Sequence, residues 1–222
     1  MPLLLTEASL KTRVKELFLL FILYVSVRIG LTLIIQHLLI NWTIGMINVI
    51  FSPLKYLVLF TIGYLIIRRP IALIQRSSVK TYVKALLFTF GLLFLASAIN
   101  LLIDSYITGD WKEKVEYGFT KYEMLFLAVI LAPIVEELFF RGIILSQLLL
   151  VFNKNQWVAI VVGGLFFGAI HSEPSQIFFN CIVGIGYCFL YWKTKNITIT
   201  MFCHCMQNLI VFTARYYMFT PD

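Results

Sequence analysis

Seven apolar runs separated by short polar stretches divide the chain, at residues 17–40, 44–67, 82–103, 124–152, 157–170, 177–192 and 197–217. About 20 apolar residues, at 1.5 Å rise each, carry a helix across the hydrocarbon core of a bilayer. Most of these runs are that long. The second is interrupted by Pro53 and Lys55, the fourth is longer than needed and carries Pro133, and the fifth and sixth are short. These irregularities allow six to eight spans, with seven as the central count. The expected fold is all-α, a polytopic transmembrane helical bundle.

Composition points the same way. Of the 222 residues 60% are hydrophobic and 13% charged, with a mean hydropathy of +0.90, against about 45–50% apolar and about 25% charged in soluble domains. The net charge of +7 is placed by the loops. Lys11, Arg13 and Lys15 precede the first run; Arg68, Arg69, Arg76, Lys80 and Lys84 lie between the second and third; Lys154 follows the fourth; Lys193 and Lys195 follow the sixth. The alternate loops are neutral (Asn41–Thr43), mixed (Asp104–Lys121) or carry only an acid (Glu173). Basic loops stay in the cytoplasm, so the N-terminus is expected inside and the C-terminus outside. No basic stripe interleaved with aromatic residues suggests a nucleic-acid partner. The expected surroundings are a lipid bilayer, with the chain a multi-pass membrane protein. The first run is too long for a signal-peptide core and reads as a retained helix. Cys181, Cys188, Cys203 and Cys205 lie in late apolar runs and read as small apolar fillers. Cys203 and Cys205 do not share a helix face.

Ionisable groups inside such runs cost roughly 2.5–17 kcal/mol and call for a reason. The candidates are Arg28, Lys55, Glu136, Glu137, Arg141, His171 and His204, with Asn100, Asn180 and Asn208 as neutral companions. Glu137 and Arg141 stand four residues apart, one turn along the same face, and are expected to pair. Glu136 points about 100° away and is left without a local cation. An unpaired carboxylate in an apolar span is a candidate general base. Pro133 frees a carbonyl one turn earlier and loosens the helix beside the acids. Phe167 and His171 share one face of the fifth run, as His204 and Asn208 do in the seventh. Gly163, Gly164, Gly168 and Ala169 form a smooth surface for a close helix neighbour, with the fourth run a plausible partner. For Asn208 taken alone, helix–helix hydrogen bonding is the simpler reading. Distances from the cytoplasmic ends place Glu136 about 24 Å, His171 about 21 Å and His204 about 10 Å up their helices, so tilt must bring His204 level.

Glu136-Glu137-x-x-x-Arg141, then Phe167-x-x-x-His171, then His204-x-x-x-Asn208, in that order on separate apolar helices, resemble the CPBP family. That family comprises CAAX prenyl endopeptidases and the bacterial Abi group linked to bacteriocin processing and immunity. The resemblance covers about the last 100 residues. It divides the chain into 1–122, helices without a recognised motif, and 123–222, a catalytic helical core. It implies an intramembrane endopeptidase acting on a hydrophobic or membrane-associated peptide or protein. Glu136 and His171 would activate water and His204 and Asn208 would stabilise the oxyanion, with Glu137, Arg141 and Phe167 in support. A metal-free site is preferred. Zinc, if bound, would take Glu136, His171 and His204, two His and one carboxylate, but no His-Glu-x-x-His spacing calls for it. The alternative is a non-catalytic membrane protein that confers bacteriocin immunity or scaffolds a peptide or sensor partner.

Overall fold

A computed structural model describes residues 9–38, 44–67, 76–107, 122, 125–171 and 174–219. The Asn41–Thr43 loop, Arg68 and Arg69, the 108–121 part of the polar stretch, Ser172 with Glu173, and the side chain of Arg28 lie outside the described residues. Seven helices occupy the seven apolar runs, and no strand occurs among the described residues. They are α1 (Leu10–Leu38), α2 (Ile44–Ile67), α3 (Val79–Ile107), α4 (residues 125–151), α5 (Gln156–Ala169), α6 (Pro174–Thr194) and α7 (Ile197–Phe219). Among the described residues three stretches, Val79–Leu102, Ile177–Thr194 and Ile197–Ala214, are long and apolar enough to cross a membrane; Leu54–Ile67 and Gln156–Ala169 are shorter apolar pieces. Two helices overrun their apolar cores. α1 starts at Leu10, before the first run, and α3 continues to Ile107, into a stretch expected as loop from Asp104. Backbone hydrogen bonding keeps a helix going past the end of its apolar segment.

α4 is not uniform. Leu125–Leu131 and Leu138–Leu145 are wound as π-helix, with α-helix over Ala132–Glu137 and Ser146–Val151. Pro133 stands at the start of the central α segment. Its missing N–H interrupts the regular ladder there, and π-bulges of this kind concentrate at functional sites. Just past the second π segment Ser146 Oγ donates back to the carbonyl of Arg141 within it at 3.0 Å. The two acids therefore sit on a short α segment held between two wider turns.

Two apolar clusters surround α4 to α7. Leu20, Tyr24, Tyr56 and Leu59 of α1 and α2 pack on Phe139, Phe140 and Ile143. On the other side Ala85, Leu93 and Ala96 of α3 pack with Val183, Tyr187, Ile199 and Cys203 of α6 and α7. The four cysteines are free thiols.

The glycine surface of α5 has a different principal neighbour from the one expected. It lies against α6, and only Gly163 also faces α4, through Leu145 and Leu148. A Cβ on Gly164 would come within 2.3 Å of the Ile185 nitrogen, and one on Gly168 within 2.5 Å of the Cys181 nitrogen. Both helices carry small residues at the crossing, with Gly184 opposite Gly164, and their short connection makes them natural antiparallel neighbours. Gly164→Val should therefore drive α5 and α6 apart and lower the midpoint of thermal unfolding in detergent. Gly30→Ala, which meets nothing within 4 Å, should leave it level or raise it, since alanine is the better helix former.

Candidate active site

The residues of the three sequence motifs come from α4, from α5 with the residue just past its end, and from α7, and three of them form a buried relay. Arg141 Nη1 stands 2.9 Å from Glu137 Oε1, as the spacing predicts, and both side chains are 0% exposed. The same carboxylate oxygen lies 2.9 Å from His204 Nδ1 on α7. The order is thus Arg141, Glu137, His204, a cation holding an acid that in turn holds an imidazole. The guanidinium lies between two rings, 4.6 Å from the centroid of Phe167 and 5.6 Å from that of Tyr187. Its Nη2 donates to the Gly184 carbonyl at 3.5 Å. Phe167 and Tyr187 also flank the His204 ring, with centroids 5.9 and 5.6 Å away. Arene faces stabilise a desolvated cation, and a buried ion pair needs such partners to offset its desolvation.

Glu136 turns away from this relay. Its Oε2 is 3.9 Å from His204 Nε2, the ring nitrogen opposite the one held by Glu137, and its side chain is 13% exposed. His171, just past the end of α5, is bonded through Nδ1 to the carbonyl of Phe167 at 2.9 Å. A carbonyl only accepts, so Nδ1 carries the proton, and in the neutral ring Nε2 keeps its lone pair. The ring packs on Phe167 at 5.0 Å and lies within electrostatic reach of both Glu136 and His204.

His204 stands level with both acids, one ring nitrogen held by Glu137 and the other facing Glu136, and the start of α7 is packed against its neighbours. Asn196 and Ile197 are 1% and 0% exposed, and Asn196 Nδ2 donates to Ser77 Oγ at 2.9 Å. Asn208, one turn beyond His204, donates from Nδ2 to the carbonyl of Ala128 at 2.8 Å. In π winding the carbonyl of residue i takes the N–H of residue i+5. For Ala128 that residue is Pro133, which has none, and Asn208 supplies the donor instead. The two polar groups of α7 thus dock on α4 at two levels.

Among the described residues no group of three or more His, Cys, Asp or Glu side chains is placed to hold a metal ion. Glu136, His171 and His204 are not gathered as a zinc trio. Lys55, another cation noted in a span, lies over the ring of Tyr56 at 4.8 Å. Sequence reading missed Tyr187, which closes over both Arg141 and His204, and the carbonyls of Ala128 and Gly184. An apolar aromatic residue and backbone oxygens leave no local signal.

Residues 119–210 match the family described as Type II CAAX prenyl endopeptidase Rce1-like. Over 89 residues the chain is 33% identical to "Putative membrane peptidase YdiL" of Bacillus subtilis (strain 168), covering 40% of this chain and 35% of that protein. It is 28% identical over 158 residues to "Uncharacterized protein YyaK" of the same organism, covering 66% of this chain and 52% of the relative. The chain spans about a third to a half of the length of these curated relatives. No solved structure matches it. The matched segment contains Glu136, Glu137, Arg141, His171, His204 and Asn208 together. The similarity over this segment supports a CPBP-type, CAAX-protease-like relationship, and together with the apolar helices it points to a membrane protein.

Proposed function

We propose that this protein is an intramembrane endopeptidase that hydrolyses a peptide bond in a hydrophobic or membrane-associated peptide or protein. The observation that carries this reading is the division of labour between adjacent acids. Glu137 is committed to Arg141 and His204, whereas the carboxylate of Glu136 has no cation closer than the 3.9 Å contact with His204 Nε2 among the described residues. Glu136, with Nε2 of His171, takes a proton from water as the water oxygen attacks the scissile carbonyl carbon. His204 Nε2–H, present when the ring carries both protons, donates to the oxyanion. So does the second N–H of Asn208, since an amide nitrogen carries two hydrogens. Donors fixed where charge develops contribute most to such a step. The carbon–nitrogen bond then breaks, and the proton held by Glu136 passes to the leaving amine.

The reading extends to seven spans with a cytoplasmic N-terminus in a bacterial plasma membrane, residues 123–222 forming the catalytic core and 1–122 packing around it. Bacteriocin-type peptide processing or immunity is the biological setting that the family suggests. His171→Ala and His204→Ala should each abolish cleavage while the protein still accumulates in the membrane at wild-type abundance, as judged by immunoblot of the membrane fraction. Full cleavage by both variants would overturn the assignment.

A further inference from the structure

One end of the bundle carries a basic and aromatic cluster that peptide hydrolysis does not use. Three chain segments converge there: 76–84 at the start of α3, 153–157 at the start of α5, and 192–198 between α6 and α7. Asn196 Nδ2 donates to Ser77 Oγ at 2.9 Å, and the hydroxyls of Tyr82 and Thr198 are bonded at 3.1 Å. Trp192 Nε1 donates to Gln156 Oε1. Trp157 lies parallel to Phe189 with centroids 5.5 Å apart and stands 5.9 Å from Trp192. These segments contain Arg76, Lys80, Lys84, Lys154, Lys193 and Lys195, and no Asp or Glu.

Two of the lysines are concentrated on one ring. Lys193 Nζ and Lys195 Nζ lie 5.9 and 5.7 Å from the Trp192 centroid, and both side chains are exposed. Lys195 adopts φ 53°, the one positive-φ non-glycine among the described residues. That conformation is unfavourable for a residue with a Cβ. Here it turns Lys195 back over the indole. Two like charges gathered on one ring, with no acid in the surrounding segments, call for an anion from outside the chain.

The adjoining surface specifies what carries that anion. Trp157, Val161 and Leu165 follow at four-residue spacing on one face of α5 and are 56%, 40% and 48% exposed. An exposed apolar strip thus runs away from the basic cluster along the helix, starting from a tryptophan. Tryptophan belongs at headgroup depth, and juxtamembrane lysines attract anionic lipids. We propose that this end of the bundle binds an anionic phospholipid, its headgroup phosphate held by Lys193 and Lys195 and its acyl chain lying along Trp157, Val161 and Leu165. This makes the Lys154, Lys193 and Lys195 end the one facing the anionic leaflet. It holds whether or not the site in α4 and α7 is catalytic.

The test is tryptophan quenching in nanodiscs. Purified full-length protein is reconstituted in mixed phosphatidylcholine and phosphatidylglycerol, with bromine on the acyl chains of one lipid or the other at equal mole fraction. Brominated phosphatidylglycerol should quench emission more than brominated phosphatidylcholine. The preference should fall by about fivefold for each lysine removed in Lys193→Gln and Lys195→Gln, with size-exclusion profiles unchanged. Inorganic phosphate at millimolar concentration should leave it intact. Equal quenching by the two lipids in the wild type would overturn the proposal. So would a preference that persists in the double variant, or one that phosphate abolishes, which would make the ligand a soluble anion.

Discussion

Arg141→Met should cost about 3–5 kcal/mol of stability, the penalty for stranding one partner of a buried ion pair. Glu137 has 0% side-chain exposure, and its bonded oxygen is shared between Arg141 Nη1 and His204 Nδ1, each at 2.9 Å. Without the guanidinium the buried carboxylate loses its permanently charged partner, and the contacts left to it are to His204 and Thr200. The gap between Phe167 and Tyr187 would be filled by a neutral chain with no donor for the Gly184 carbonyl. The double variant Glu137→Gln with Arg141→Met should recover much of the loss. It leaves no lone buried charge, and the amide oxygen can still accept the Nδ1 proton. Thermal unfolding in detergent of the wild type, both single variants and the double variant gives the coupling directly. A single Arg141→Met variant as stable as the wild type would mean that the pair does not hold the relay together.

The second large effect falls on rate. Glu136→Gln should slow cleavage by about 10²–10⁴-fold, the usual contribution of a positioned general base, with little change in unfolding temperature. The amide has the shape of the acid but cannot take a proton from water. Glu136 makes no ion contact shorter than 3.9 Å among the described residues, so its charge is not needed to hold α4 against α7. Loss of rate without loss of stability separates it from Glu137, whose replacement should affect both.

The helices and one ion pair were legible in the sequence because both are local. An apolar run of sufficient length folds as a helix wherever it sits, and a Glu–Arg spacing of four residues puts the two groups on one face. What joins helices was not legible in the same way. That Nδ1 of His204 would be held by Glu137, leaving Nε2 toward Glu136, depends on the rotation of α7 about its own axis. The level at which His204 meets the acids depends likewise on how α7 is seated on its neighbours, through Asn196 on Ser77 at its start and Asn208 on Ala128 further along. The α5 glycines announced a close neighbour but not which one, since Gly184 and Cys181 lie on a helix whose small residues draw no notice. The bond from Asn208 to the Ala128 carbonyl required knowing that the turn before Pro133 is wound as π-helix. Tyr187 carries no charge and looks like core until Arg141 and His204 are seen against it.

The most direct measurement compares membranes and culture medium, by peptide mass spectrometry, from host cells carrying the wild-type protein and from cells carrying Glu136→Ala at equal abundance. The account predicts a peptide product that is present with the wild type and absent with the variant. Identical peptide profiles, alongside a cellular effect that survives Glu136→Ala, would contradict it and point to a membrane protein that acts by binding alone.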